Sequence, residues 1–384
     1  MKKFYLIFLW LCAVVQAQIT INVIAIPDDT PVGDSIYIVG NFNNWIPGDV
    51  HYLLKKHDGI WKTTIPEGEG ILEYKFTRGN WTMVEGGEDG KSIENRNFSF
   101  TGAPQSIEVS ILSWSDLEGI EPQSTAAWNV KVMHPNFYMP QLDRNRKIWI
   151  YLPPDYNTSN KSYPVIYMHD GQNLFDELTA FSGEWKVDET LNDLFNAGDY
   201  GAIVIGVENG QEERLNEYSP WKNSEYGGGD GDLYSQFMET SLKPYVDANY
   251  RTKPEAKYTA IIGSSMGGLI STYIGLSTSS FGRIGAMSPS YWFAHDALLK
   301  NISDSSRDYS QTRVYFMGSS NESSTLSHHI ETIRKAWQLK GLTKCNSRVK
   351  IDEYGGHNEA YWSGEFKSVY QWLFKNELKF SEKN

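Results

Sequence analysis

The sequence predicts two folds in one chain: an all-β sandwich over residues 18–115, then a mainly parallel β-sheet covered by helices on both faces over residues 129–380. Three observations carry this expectation. Short period-2 runs separated by Gly, Pro and Asp turns fill the first part. From Trp128 onward, continuous apolar runs alternate with helical stretches, the pattern of strands buried on both faces. One of those runs ends in Gly263-Ser264-Ser265-Met266-Gly267, a glycine-flanked serine where a strand gives way to a helix.

The chain opens on Met1-Lys2-Lys3, continues as an uncharged apolar run from Phe4 to Val15, and then offers small residues around Ala17. Residues 1–17 read as a secretory signal peptide, too short for a comfortable membrane span. Cys12 lies inside the apolar run, so it does not read as an acylation site. With the signal removed, Cys345 is the single cysteine, and no intrachain disulfide is expected. That suits an exported bacterial protein, periplasmic or extracellular. Loss of Lys2 and Lys3 moves the formal charge from −12 to −14. An acidic chain without a basic block is not expected to bind nucleic acid or an anionic membrane. Its 13 Trp and 23 Tyr fit sugar handling, since aromatic faces stack on pyranose rings.

Within 18–115, Ile19–Ile26, Ser35–Gly40, Trp61–Ile65, Leu72–Thr77 and Ser106–Ile111 alternate as strands. Here Val39-Gly-Asn-Phe-Asn-Asn-Trp45, Asp58-Gly-Ile-Trp-Lys-Thr-Thr-Ile65, Leu72-Glu-Tyr-Lys-Phe-Thr-Arg-Gly79 and Glu94-Asn-Arg-Asn-Phe98 follow in order. This stretch is similar to carbohydrate-binding module family 20, the starch-binding modules, and their glycogen-binding relatives. The resemblance implies an α-glucan partner stacked on two tryptophans. Trp45 matches the first position, and Trp81 lies a few residues from the usual second.

Residues 116–128 are polar without a period and read as a linker. Val130–His134 and Arg146–Leu152 follow as an antiparallel hairpin. Pro164–Met168, Ala202–Val207, Tyr258–Gly263 and Arg313–Met317 then read as buried parallel strands.

The motif at 263–267 is the nucleophile elbow of the α/β-hydrolases, with Ser265 at the nucleophile position and Ser264 a decoy beside it. A serine hydroxyl needs an imidazole to take its proton, and the imidazole needs an acceptor on its other nitrogen. In this fold the acid follows a later strand and the histidine follows the last one. Glu322 is the single carboxylate in the loop 318–326, and His357 stands in Gly355-Gly356-His357 after the run Arg348–Tyr354. The order Ser265, Glu322, His357 is the hydrolase order. Asp352 lies inside the last strand and is set aside as the acid. The loop His169-Asp170-Gly171-Gln172-Asn173 follows a strand where a second oxyanion donor belongs, with Gly171 letting the backbone bend. The N–H groups of Gln172 and Met266 are the expected pair, with Asn173 the alternative to Gln172. His328-His329 with Glu331 lacks the spacing of a helical metal site, and Gly227–Asp232 lacks the spaced ligands of a calcium loop, so no metal or cofactor is expected.

Met168-His-Asp-Gly-Gln-Asn-Leu-Phe175, Glu217-Tyr-Ser-Pro-Trp221, Gly263–Gly268, Ser288-Pro-Ser-Tyr-Trp-Phe293 and Gly355–Trp362 together resemble the Putative esterase family. That family takes in esterase D, enterochelin esterases, and the feruloyl and acetyl-xylan esterases of carbohydrate esterase family 1. The resemblance implies a serine esterase, with Trp292 and Trp362 as aromatic walls of the cleft. The expected activity is removal of acetyl or feruloyl groups from a polysaccharide. The alternatives are hydrolysis of a siderophore lactone, and a catalytically inactive glycan-binding protein.

Overall fold

The computed structural model describes residues 18–43, 45–66, 68, 70–88, 90, 93–117, 124–180 and 183–375. The expected signal peptide, the middle of the expected linker and residues 376–380 lie outside them. The described residues fall into two compact units, one running to Leu117 (the turn at 93–95 aside) and one from Ser124 onward.

The first unit is strand-rich. Its strands are β1 (Gln18–Ala25), β2 (Tyr37–Gly40), β3 (Lys55–His57), β4 (Ile60–Pro66), β5 (Ile71–Thr77), β6 (Glu85–Gly86), β7 (Arg96–Ser99), β8 (Gln105–Ser110) and β9 (Ser113–Trp114). They form a sheet β3-β4-β1-β8, a sheet β2-β5-β7 and a pair β6-β9. Alternate residues of β1 (Ile19, Ile21, Val23) meet Ile38 of β2 and Leu72 and Phe76 of β5 in one core. This is sandwich packing, each sheet turning its apolar face inward.

The second unit holds one eight-stranded sheet. Its strands are β10 (Val130–Met139), β11 (Arg144–Tyr151), β12 (Val165–His169), β13 (Ile203–Val207), β14 (Thr259–Ser264), β15 (Arg283–Met287), β16 (Arg313–Ser319) and β17 (Ser347–Asp352), in the order β10-β11-β13-β12-β14-β15-β16-β17. The hairpin β10-β11 and its junction with β13 are antiparallel, and every later pairing is parallel. The helices are α1 (Val187–Asn196), α2 (Arg214–Glu217), α3 (Gly231–Phe237), α4 (Lys243–Asn249), α5 (Met266–Ser277), α6 (His295–Asp304), α7 (Leu326–Gln338) and α8 (Glu359–Leu373), with one π-turn at Met238–Leu242. The period of two splits each strand between two cores. Val165 and Tyr167 of β12 face the layer that holds α5 and α7, whereas Ile166 and Met168 face α1 and α8. The result is an α/β-hydrolase-like unit, and its parallel strands end on the loops that carry Gln172, Ser265, Ser290 and Glu322. No helix among the described residues is long and apolar enough to cross a membrane.

Candidate active site

Ser265 stands between β14 and α5 with φ 56° and ψ −124°. A non-glycine residue in that region carries about 1–3 kcal/mol of backbone strain, which surrounding structure must hold in place. The neighbours explain how. A Cβ on Gly263 would come within 2.7 Å of the Gly267 carbonyl carbon and 2.8 Å of His169 Cδ2. The turn closes so tightly that only glycine fits at Gly263. The Ser265 N–H then donates to the Met287 carbonyl at 2.9 Å.

Ser265, His357 and Glu322 meet from three separate loops. His357 Nδ1 lies 2.7 Å from Glu322 Oε2, and its Nε2 lies 2.9 Å from Ser265 Oγ. A carboxylate can only accept, so the imidazole donates from Nδ1 and its Nε2 is left to accept from the serine hydroxyl. The Glu322 side chain is 3% exposed. Its other oxygen, Oε1, accepts from the Ser319 N–H at 2.6 Å and from the Ser288 hydroxyl at 2.8 Å. Asp352 is engaged elsewhere, with Tyr361 Oη at 2.8 Å and Lys350 Nζ at 3.3 Å.

Two serines on the segment after β15 carry roles that the sequence does not single out. Ser290 Oγ lies 3.1 Å from Ser265 Oγ, and its N–H donates to the Ser265 carbonyl at 3.0 Å. Ser288, with φ 42°, carries the hydroxyl that reaches Glu322. Their motif is visible in the sequence, but a serine two residues from another gives no hint of which side chain each will reach.

The loop after β12 is fixed by an ion pair. Arg214 clasps Asp170 through Nε and Nη2 at 2.7 and 3.0 Å, and Asn209 Nδ2 donates to Asp170 Oδ1 at 2.8 Å. Burial alone would raise the Asp170 carboxyl, but the Arg214 guanidinium beside it outweighs that and holds it below its ordinary range. Gln172 Oε1 accepts from the Asn209 N–H at 3.2 Å, and the Gln172 carbonyl accepts from Thr179 Oγ1 at 2.6 Å. The Asn173 N–H is spent on the Asp170 carbonyl at 2.9 Å, which leaves Gln172 the better candidate donor. Met266 opens α5, so its N–H has no intrahelical acceptor. Gly171 has a different reason from the expected bend: a Cβ there would meet the Gly206 backbone of β13 at 2.7 Å.

The aromatic residues divide. Trp292 is 50% exposed, two residues from Ser290, and packs edge-on against Tyr226 with centroids 5.4 Å apart. Trp362 departs from its expected place as a cleft wall. It is 4% exposed, because Asn358 caps α8 and puts Trp362 on the helix's inner face. Its ring stands edge-on to His357 at 5.1 Å, and its N–H donates to Ser288 Oγ at 2.9 Å. Trp362 therefore supports His357 from behind.

In the first unit, the Trp45 and Trp81 rings lie 6.4 Å apart at 37°, both half-buried. Gly48 passes close over Gly79, and Asn80 caps the turn at Trp81–Met83, so the two loops are held side by side. Spacing alone could not reveal that the 36-residue separation closes into a pair.

The comparisons with known proteins follow the same division. The uncharacterized protein YbbA of Bacillus subtilis (strain 168) is 29% identical over 244 residues, which cover 60% of this chain and 93% of that protein. An alpha-amylase of Niallia circulans is 35% identical over 96 residues in the N-terminal region, 24% of this chain and 7% of the amylase. The crystal structure of the enterobactin esterase of Shigella flexneri shares the fold at a TM-score of 0.56 and 15% identity, over 90% of this chain and 89% of that one. Residues 140–373 match the family model Esterase, described as Putative esterase, and the chain belongs to that family.

Proposed function

We propose that the protein is an exported serine esterase that removes acetyl or feruloyl groups from a polysaccharide, with the first unit holding the glycan. One observation carries the catalytic reading: Ser265, strained at φ 56°, lies in hydrogen-bond line with His357 and Glu322 at 2.9 and 2.7 Å. In this reading His357 Nε2 takes the hydroxyl proton as Ser265 Oγ attacks the ester carbonyl, and Glu322 stabilises the imidazolium that forms. The carbonyl oxygen gathers negative charge and is met by the N–H groups of Gln172 and Met266, each worth about 10²–10³ in rate at such sites. His357 then protonates the leaving alcohol. Water, activated by the same imidazole, releases the acid from the acyl-enzyme. The residues in these roles need no cofactor.

The glycan reading rests on the Trp45–Trp81 pair and on the similarity of the N-terminal region to an alpha-amylase. Export rests on the sequence of residues 1–17. The test is hydrolysis of nitrophenyl acetate, methyl ferulate and acetylated or feruloylated polysaccharide by the wild type and by Ser265→Ala and Ser264→Ala. Ser265→Ala should be inactive yet folded, Ser264→Ala active, and an organophosphonate should label Ser265. Undiminished turnover in Ser265→Ala would overturn the reading.

A further inference from the structure

We propose that Glu184, Asp188 and Glu189 form a binding site for a calcium-type divalent cation, a function none of the steps above uses. Oxygens of the three carboxylates lie within 4.8 Å of one another. Glu184 is 7% exposed and Asp188 is fully buried. Each carboxylate has one oxygen shut away from solvent with no donor from outside the cluster, Glu184 Oε1, Asp188 Oδ1 and Glu189 Oε2, and the Asp188 and Glu189 carboxyls lie within hydrogen-bond reach of each other. The remaining oxygens of the two deepest residues are engaged. Thr125 Oγ1 donates to Glu184 Oε2 at 3.0 Å, and the Ala127 N–H donates to Asp188 Oδ2 at 2.7 Å. Those bonds orient the two carboxylates and leave a second oxygen of each to ligate.

Charge balance supplies the rest of the argument. Three other buried carboxylates hold guanidinium groups: Glu85 pairs with Arg96, Asp170 with Arg214, and Glu217 with Arg144 and Arg146. Among the described residues, no Lys or Arg forms an ion pair with Glu184, Asp188 or Glu189. Lys186, between them in sequence, is exposed and only partly offsets the negative charge at Glu184, to which Glu189 and Glu177 add. The first turn of α1 offers Asp188 and Glu189 only the fractional positive charge of a helix end. Several buried carboxylates without a counter-ion are strongly disfavoured. A small hard cation resolves this, and a donor set made only of oxygen selects calcium or its mimics over zinc or copper. Backbone carbonyls and water would complete the six to eight ligands that calcium takes.

The site would tie together segments distant in sequence. Thr125 and Ala127 belong to the chain leading into β10, and Asp188 and Glu189 open α1. Trp185, between Glu184 and Lys186, accepts from Ser363 Oγ of α8 at 2.7 Å through its carbonyl and packs against Trp362 at 5.9 Å. A bound cation should therefore raise the stability of the whole second unit.

Terbium is the probe, since it replaces calcium at oxygen sites and Trp185 beside the ligands can sensitise its emission. The full chain, stripped with EDTA, should show saturable terbium emission that calcium displaces, and calcium should raise its Tm by several degrees through binding to the folded state alone. Glu189→Gln, at the least buried of the three, should reduce terbium affinity at least ten-fold, and Glu255→Gln, at an exposed glutamate before β14, should leave it unchanged. Circular dichroism establishes that each variant is folded. Absence of saturable emission, a Tm indifferent to calcium, or wild-type terbium affinity in a folded Glu189→Gln would overturn the site and assign shared protons as what neutralises the trio.

Discussion

Ser288 donates its hydroxyl proton to Glu322 Oε1 over 2.8 Å, while the other oxygen of Glu322 holds His357 at 2.7 Å. Ser288 in turn accepts the indole N–H of Trp362, whose ring edge rests on His357. Glu322 and His357 thus share one support, and removal of its parts should have graded effects. Glu322→Gln keeps the shape and loses the negative acceptor, so kcat for nitrophenyl acetate should fall by about 10²–10⁴. Ser288→Ala removes one of two donors to Oε1 and should cost about ten-fold in kcat with KM little changed. Steady-state kinetics decide this. A loss of only a few-fold in Glu322→Gln beside a large one in Asp352→Asn would transfer the role to Asp352.

Ser290 bears on Ser265, the proposed nucleophile. If the Ser265 proton is committed to His357, the Ser290 hydroxyl is the donor in its 3.1 Å contact with Ser265 Oγ. It would then hold the oxygen in line with the imidazole. Ser290→Ala should lower kcat by about three- to ten-fold, the scale of one neutral hydrogen bond. Organophosphonate labelling of Ser265 should slow by a similar factor. An unchanged labelling rate would make the contact incidental.

His169 lies beneath the elbow, against Gly263 and Gly267, with Nδ1 3.0 Å from Tyr234 Oη. Burial brings its imidazole down to about 3 from an ordinary 6.5, with Asp170 opposing that shift and Arg214 adding to it. The folded state therefore refuses a proton that the unfolded chain accepts below pH 6.5. The stability tied to this residue is complete above pH 6.5 and drains away as pH falls toward 3. Thermal melts of the wild type should show a falling Tm over that interval. His169→Gln, although less stable at pH 7, should show a shallower fall. Parallel Tm curves for the two proteins would show that His169 does not set the slope.

The sequence is most readable where burial and period coincide. Val165–His169 and Ile203–Val207 are apolar runs between breaks, and both are central strands. Arg283-Ile-Gly-Ala-Met287 is a strand that sequence reading misses, because small residues give it no apolar run. A Cβ on Gly285 would lie 3.0 Å from Ile262 and 3.2 Å from Val369, so the glycine there answers a demand set by packing. The strands β3, β6, β7 and β9 are two to four residues long, too short to display a period. At the candidate site, Ser265, Glu322 and His357 are legible because chain order and strand ends constrain them. Arg214 and Asn209 are not, since their partner Asp170 lies 44 and 39 residues away. Trp362 defies its expected place because an aromatic close to a histidine in sequence has equal reason to face the cleft or the core. The acidic trio is hidden for a related reason: Thr125 and Ala127 reach Glu184 and Asp188 across 59 and 61 residues.

The last prediction concerns Trp45 and Trp81. Their rings lie 6.4 Å apart and are both half-buried, so neither side chain is fully covered. Two neighbouring sugars of an α-glucan could use both faces, each contact adding a modest stacking gain against the loss of chain freedom. Binding of that kind is weak and localises an enzyme on its substrate. Trp45→Ala and Trp81→Ala should each shorten retention on amylose or glycogen in affinity electrophoresis. The double variant should lose little beyond the worse single one, because a lone ring no longer spans two sugars. For nitrophenyl acetate, a small soluble ester with no glycan to hold, kcat/KM should stay within about two-fold in all three, since the proposed reaction uses no residue of the first unit. Retention on xylan but on no α-glucan would reassign the glycan. A large loss on the soluble ester would place these tryptophans in the reaction itself.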